Sequence, residues 1–188
     1  AVAAPALRPD GWRPQLRSGA AADGARAPLA FASAPTASQL LTALGRHMFV
    51  AGEEMLECTA ALEGYGEALG IERSVGSLTN GAISMRTAGE AIMDDDLETA
   101  WGEVESAAYA AEGYMASSAF QGLIDLFSYA EPAPREAWPA ASDALLGISM
   151  DLARSAKRLQ DKVKAVQAAA CLRRAALSLD AAGQLFQP

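Results

Sequence analysis

The chain has 188 residues, a mean hydropathy near zero, one histidine, two cysteines and only 6% aromatic residues, with alanine and glycine abundant. Its net charge of −8 is segregated: residues 1–38 carry four arginines against Asp10 and Asp23, residues 39–136 four arginines against seventeen acids, and residues 137–188 seven basic residues against four aspartates. Scarce β-branched residues exclude a sheet-built core, no run reaches the roughly 18 apolar residues of a membrane-spanning helix, and the acidic middle excludes a nucleic-acid groove.

Residues 1–37 hold Pro5, Pro9, Pro14, Pro28 and Pro35 among Ala, Gly, Ser and Arg, a composition that buries too little apolar surface to offset the entropy of ordering. We expect an extended arm here that takes its shape from a partner. Its anchors would be Trp12, Leu16, Leu29 and Phe31, with Arg8, Arg13, Arg17 and Arg26 seeking acidic or carbonyl partners. The start Ala-Val-Ala-Ala, without Met, is expected of a trimmed precursor.

Residues 38–188 read as one helical domain. Leu41, Leu44, Met48, Ala51, Met55, Cys58, Leu62, Tyr65 and Leu69 follow at alternating spacings of three and four, a heptad seam running about 40 Å along a helix at about 1.5 Å per residue. The spacing predicts a first helix capped by Ser38 and ended at Gly70. A second, about Val75 to Met93, carries Leu78, Gly81, Met85, Ala88 and Ile92, with Asn80-Gly81 as a turn signal inside it. Asp94-Asp95-Asp96 is expected to open a third helix, Asp95 and Glu98 forming a capping box, which continues through Trp101, Val104, Ala108, Ala111 and Met115. There its stripe shifts by one residue to Ala116, Phe120, Leu123 and Phe127, and the helix ends near Ala130. After a proline-punctuated connection, Ala141, Leu145, Ile148, Leu152 and Leu159 mark a fourth helix and Leu172, Ala176, Leu179, Ala182 and Phe186 a fifth, either continuous or broken near Gln160-Asp161. Short connections force antiparallel neighbours. The expected fold class is therefore all-α: an up-and-down four-helix bundle with an extra N-terminal helix and an extended arm.

Chemistry-bearing residues are few. His47 offers an imidazole for a pigment magnesium or a metal, or is a flanking surface residue; the three aspartates at 94–96 could hold calcium but serve a helix start better. Glu53, Glu54 and Glu57 invite comparison with di-iron bundles, yet no Glu-x-x-His is present. Cys58 and Cys171 read as two buried thiols or as one disulfide. With one histidine, catalytic triads are nearly ruled out, so no enzyme, cofactor, metal or small-molecule substrate is expected. Trp101 is expected in the core, and Trp138 either in the core or at an interface with a partner.

From about Gly89 onward the layout resembles the PsbQ family of extrinsic, lumenal photosystem II proteins. The carrying features are Asp94-Asp95-Asp96 with Trp101, the connection Glu131-Pro132-Ala133-Pro134-Arg135-Glu136, and two closing helices, the last of which carries Ala176-Leu177-Ser178-Leu179-Asp180 and finishes in Leu185-Phe186-Gln187-Pro188. The resemblance implies a non-enzymatic plastid protein of the thylakoid lumen, peripheral to the membrane, whose partners are subunits of a large photosystem complex. A host in photosystem I or an antenna, and a coiled-coil module that dimerises through the first helix, are the alternatives. The long arm and the first helix depart from the shorter members.

Overall fold

The computed structural model describes residues 35–65, 70–111, 117–128 and 135–187. These are all helical, without a strand, in six α-helices: α1 (Ala37–Leu62), α2 (Glu72–Met93), α3 (Leu97–Ala111), α4 (Gln121–Phe127), α5 (Trp138–Arg158) and α6 (Val166–Gln184). A 3-10 turn, Ser117–Phe120, leads into α4, another, Arg135–Ala137, into α5, and a π turn, Leu159–Val163, separates α5 from α6.

The seam buries as its spacing requires. Leu41, Leu44, Met48, Ala51, Met55, Cys58 and Leu62 are all buried. Tyr65, by contrast, lies beyond the end of α1 and is exposed, and Leu69 falls outside the described residues. The helix also starts earlier than expected. Thr36, not Ser38, is the cap: its hydroxyl accepts from Gln39 N and the Gln39 amide oxygen accepts from Thr36 N, a reciprocal box that Ser38 could not close. α1 ends at Leu62, short of residue 70, while Gly70 does take the left-handed conformation (φ +66°) expected of it.

α2 runs straight through Asn80-Gly81, because Gly81 is buried against its neighbours and packing overrides the local turn preference. The start of α3 needs two corrections. Asp96 rather than Asp95 caps it, accepting from Thr99 N (3.1 Å) and Thr99 Oγ1 (2.6 Å), while Asp95 sits in the left-handed region at φ +61°. Those hydrogen bonds hold the Asp96 carboxyl below its usual range. Nor is the expected third helix regular throughout: α3 is described to Ala111, residues 112–116 lie outside the described residues, and the next described segment opens as the 3-10 turn Ser117–Phe120.

Directions follow from residue pairs. Gly45 lies against Gly89 and Gly52 against Ala82 and Arg86, so α1 and α2 are antiparallel. His47 meets Ser178 and Glu54 meets Arg174, so α6 is antiparallel to α1 on another side. Trp138 stacks edge-on to Phe186 (5.9 Å), and Ser142 donates to the Gly183 carbonyl (2.9 Å), making α5 and α6 antiparallel as well. α1 is therefore not an appendage: it stands between α2 and α6, its seam covered from within the same chain. α4 packs on the start of α5 with Gly122 against the Ala140 carbonyl, and also touches α3, so the elements close around one core of Leu, Met, Ala and Phe. Among the described residues no helix is long and apolar enough to cross a membrane.

Candidate functional site

The helical frame brings both cysteines and a cluster of ionisable groups to one joint, between α1 and α6. Glu54 and Glu57 occupy successive turns of α1, and the opposed run of α6 sets Arg174 across from both. The guanidinium donates through Nε to both Glu54 oxygens (2.8 Å each) and through Nη2 to Glu57 (3.1 Å). Arg174 Nη2 also lies 3.3 Å from Cys171 Sγ, and that thiol is 3.7 Å from Glu57 Oε2. Its pairing with Glu54 raises the Arg174 pKa further still. The ligand atoms of Glu54, Glu57 and Cys171 lie within 4.8 Å of one another. This donor set nevertheless fits a guanidinium better than a metal, because Arg174 already holds both carboxylates and burial pushes the Cys171 thiol up, away from the thiolate that metals need.

Cys58 is on the same helix, one residue on from Glu57, and is fully buried. Burial, with Cys171 adding to it, pushes its pKa up to about 12. Both cysteines are free in this structure. One or two turns along the joint, Ser178 Oγ donates to the His47 carbonyl (2.9 Å) and lies 3.3 Å from His47 Nδ1. The network closes with the proton on Nδ1, since the serine has already given its own, so this imidazole nitrogen is not placed to accept a proton from Ser178. Half-burial lowers the His47 pKa.

A second feature is a groove of about 980 Å³ between α2 and α3. Small polar residues, Ser77, Asn80 and Ser84, face Ser106 across it, and Tyr109 stands at its wall. Trp101, Glu105 and Tyr109 lie at successive intervals of four on α3, on one face. Trp101, expected in the core, is 37% exposed, and Tyr109 is 79% exposed. The expected stripe residues Val104, Ala108 and Ala111 are buried, joined by Ala100 and Ala107, with Trp101 turned out of it.

Of the residues expected to bind a partner, Arg8, Trp12, Arg13, Leu16, Arg17, Arg26, Leu29 and Phe31 lie outside the described residues. Trp138 is half-buried at the start of α5, beneath the Arg135 guanidinium (5.3 Å) and against Phe186. The Arg174 network, the His47–Ser178 pair and the α2–α3 groove were absent from the sequence reading.

The fold and these surfaces define an all-helical protein with a polar joint and an aromatic-edged groove. No family model, curated protein or solved structure matches the chain.

Proposed function

We propose that the chain is a non-enzymatic extrinsic subunit of the thylakoid lumen, docked on photosystem II, where its helical body and N-terminal arm stabilise the oxygen-evolving side. In this reading α2, the α3–α4 segment, α5 and α6 correspond to the up-and-down four-helix bundle of the PsbQ-like family, with α1 added. The observation that carries it is the face of α3. An acidic turn leads into a helix that turns Trp101 and Tyr109 to the outside, where large aromatics serve as anchors for a protein partner. The paired closing helices ending on Leu185 and Phe186 add to the likeness. A dimer formed through the α1 seam is disfavoured, because that seam is already buried by α2 and α6.

The test is to purify the tagged full chain from the organism that makes it. Photosystem II cores should co-elute, Trp101→Ala with Tyr109→Ala should weaken the association, and loss of residues 1–37 should abolish it. Co-elution with photosystem I or antenna complexes would move the protein to that host, and elution without any chlorophyll-bearing complex would overturn the reading.

A further inference from the structure

At the end of the molecule where α1 stops and α2 starts, the helices part around a cavity of about 370 Å³, within the usual range of small-molecule sites, about 300–1,000 Å³. Leu62, Leu78 and Leu152 form its floor. Ile71, Val75, Leu159 and Val163 line it while only partly buried, so aliphatic surface is left open to the cavity.

The π turn Leu159–Val163 builds one wall. Single π turns are rare and recur at functional sites. This one closes on Lys164 in the left-handed region (φ 63°) and sets Lys162 beside Leu159 and Val163 on the cavity lining, with Arg158 just before it. Neither Arg158 nor Lys162 is ion-paired among the described residues. With Arg154, Lys157 and Asp161 they also line an adjoining concavity of about 230 Å³; Arg154 is paired with Asp151, and the cations still outnumber the one carboxylate on that lining, so this end is locally basic on an acidic chain. Two hydroxyls, Ser74 and Ser155, complete the cavity lining. Cations at a helix C-terminus favour the helix dipole, which accounts for their presence on α5 but not for an aliphatic cavity open beside them.

An aliphatic wall accepts hydrocarbon, and two cations held in no ion pair among the described residues, with hydroxyls on the same lining, accept an anion. We infer that this cavity binds a single-chain anionic amphiphile, a fatty carboxylate in type, with its chain among Val75, Leu159 and Val163 and its headgroup on Arg158 and Lys162. The inference stands apart from the photosystem reading.

The experiment is calorimetric titration of the full chain with dodecanoate below its micellar concentration, beside dodecyl maltoside and dodecyltrimethylammonium as neutral and cationic counterparts. Dodecanoate should saturate one site and bind at least about tenfold more tightly than either counterpart. The double variant Arg158→Gln, Lys162→Gln should weaken it by about tenfold or more with helix content unchanged by circular dichroism. Ser155→Phe should fill the cavity and abolish binding, and Ser74→Phe from its exposed edge provides a second filling variant should α5 be disturbed. No uptake of dodecanoate, equal affinity for the neutral surfactant, or undiminished binding in folded filling variants would each overturn the inference. Co-sedimentation with phosphatidylglycerol vesicles without uptake of monomeric dodecanoate would assign the basic end to a membrane surface instead, and would likewise overturn it.

Discussion

α1 meets its two antiparallel neighbours by opposite means. Toward α2 it presents Gly45 and Gly52, and Gly89 faces it across the joint, so backbone packs on backbone: a Cβ on Gly89 would lie 2.5 Å from Phe49 N and 2.6 Å from the Gly45 carbonyl. Toward α6 it presents His47, Glu54 and Glu57, and the joint is made by side chains reaching Ser178 and Arg174. The first joint is set mainly by backbone contact, with one exposed ion pair, Arg86 to Glu53 (3.1 Å), across it. The second is partly exposed, titratable and open to screening. One helix thus carries a rigid, close-packed line on one side and an adjustable, polar one on another, and the two should respond to different perturbations.

The largest effect should come from the rigid side. Gly89→Val places atoms where backbone already stands, and we expect a loss of about 3 kcal/mol in unfolding free energy by urea titration. Cys58→Ser, on the adjustable side, puts a hydroxyl into a fully buried position, at a cost of about 1–2 kcal/mol. The raised Cys58 pKa adds a kinetic signature: alkylation at neutral pH should be slow in the folded chain and accelerate only with unfolding. Gly147→Ala is a control of opposite sign, since a Cβ there meets nothing within 4 Å and the helix should gain about 0.5–1 kcal/mol.

Two smaller effects separate the joints by solvent condition. The folded-state pKa of His47 lies below its unfolded value, so the folded state resists protonation. Its contribution is fully present above about 6.5 and is lost as pH falls through the lowered folded value. Between pH 7.5 and 5 the wild-type urea midpoint should drop more than that of His47→Gln. Arg174→Gln should move the midpoint least, and the difference should vanish in concentrated salt, because the guanidinium pairs at the surface. A salt-insensitive loss in Arg174→Gln equal to that of Gly89→Val would erase the contrast between the two sides of α1.

The seam from Leu41 to Leu62 was legible because three-four spacing survives any tertiary arrangement of neighbours. The sequence leaves open whether the last two helices separate, and the π turn falls at Gln160-Asp161, its weak signal for a break. What misled was local ambiguity. Thr36 and Ser38 are both good caps, and only the reach of Gln39 decides between them. Trp101 sits on the three-four spacing of Val104, Ala108 and Ala111, which do bury, yet at its own turn Ala100 takes the buried position and Trp101 faces outward. The stripe shift at Ala116 reads as lying within one continuous helix, whereas the described residues after it begin as a 3-10 turn at Ser117. The polar joint could not be read at all: Ser178 is 131 residues from His47 and Arg174 is 120 from Glu54, and nothing local encodes that register.

The proposal that this is an extrinsic photosystem subunit is tested most directly by washing thylakoids of the source organism and following the chain by immunoblot against chlorophyll. The account predicts that it sediments with the membranes in low salt and enters the supernatant in concentrated salt without detergent. Absence from washed thylakoids in low salt, or release by detergent alone, would contradict it.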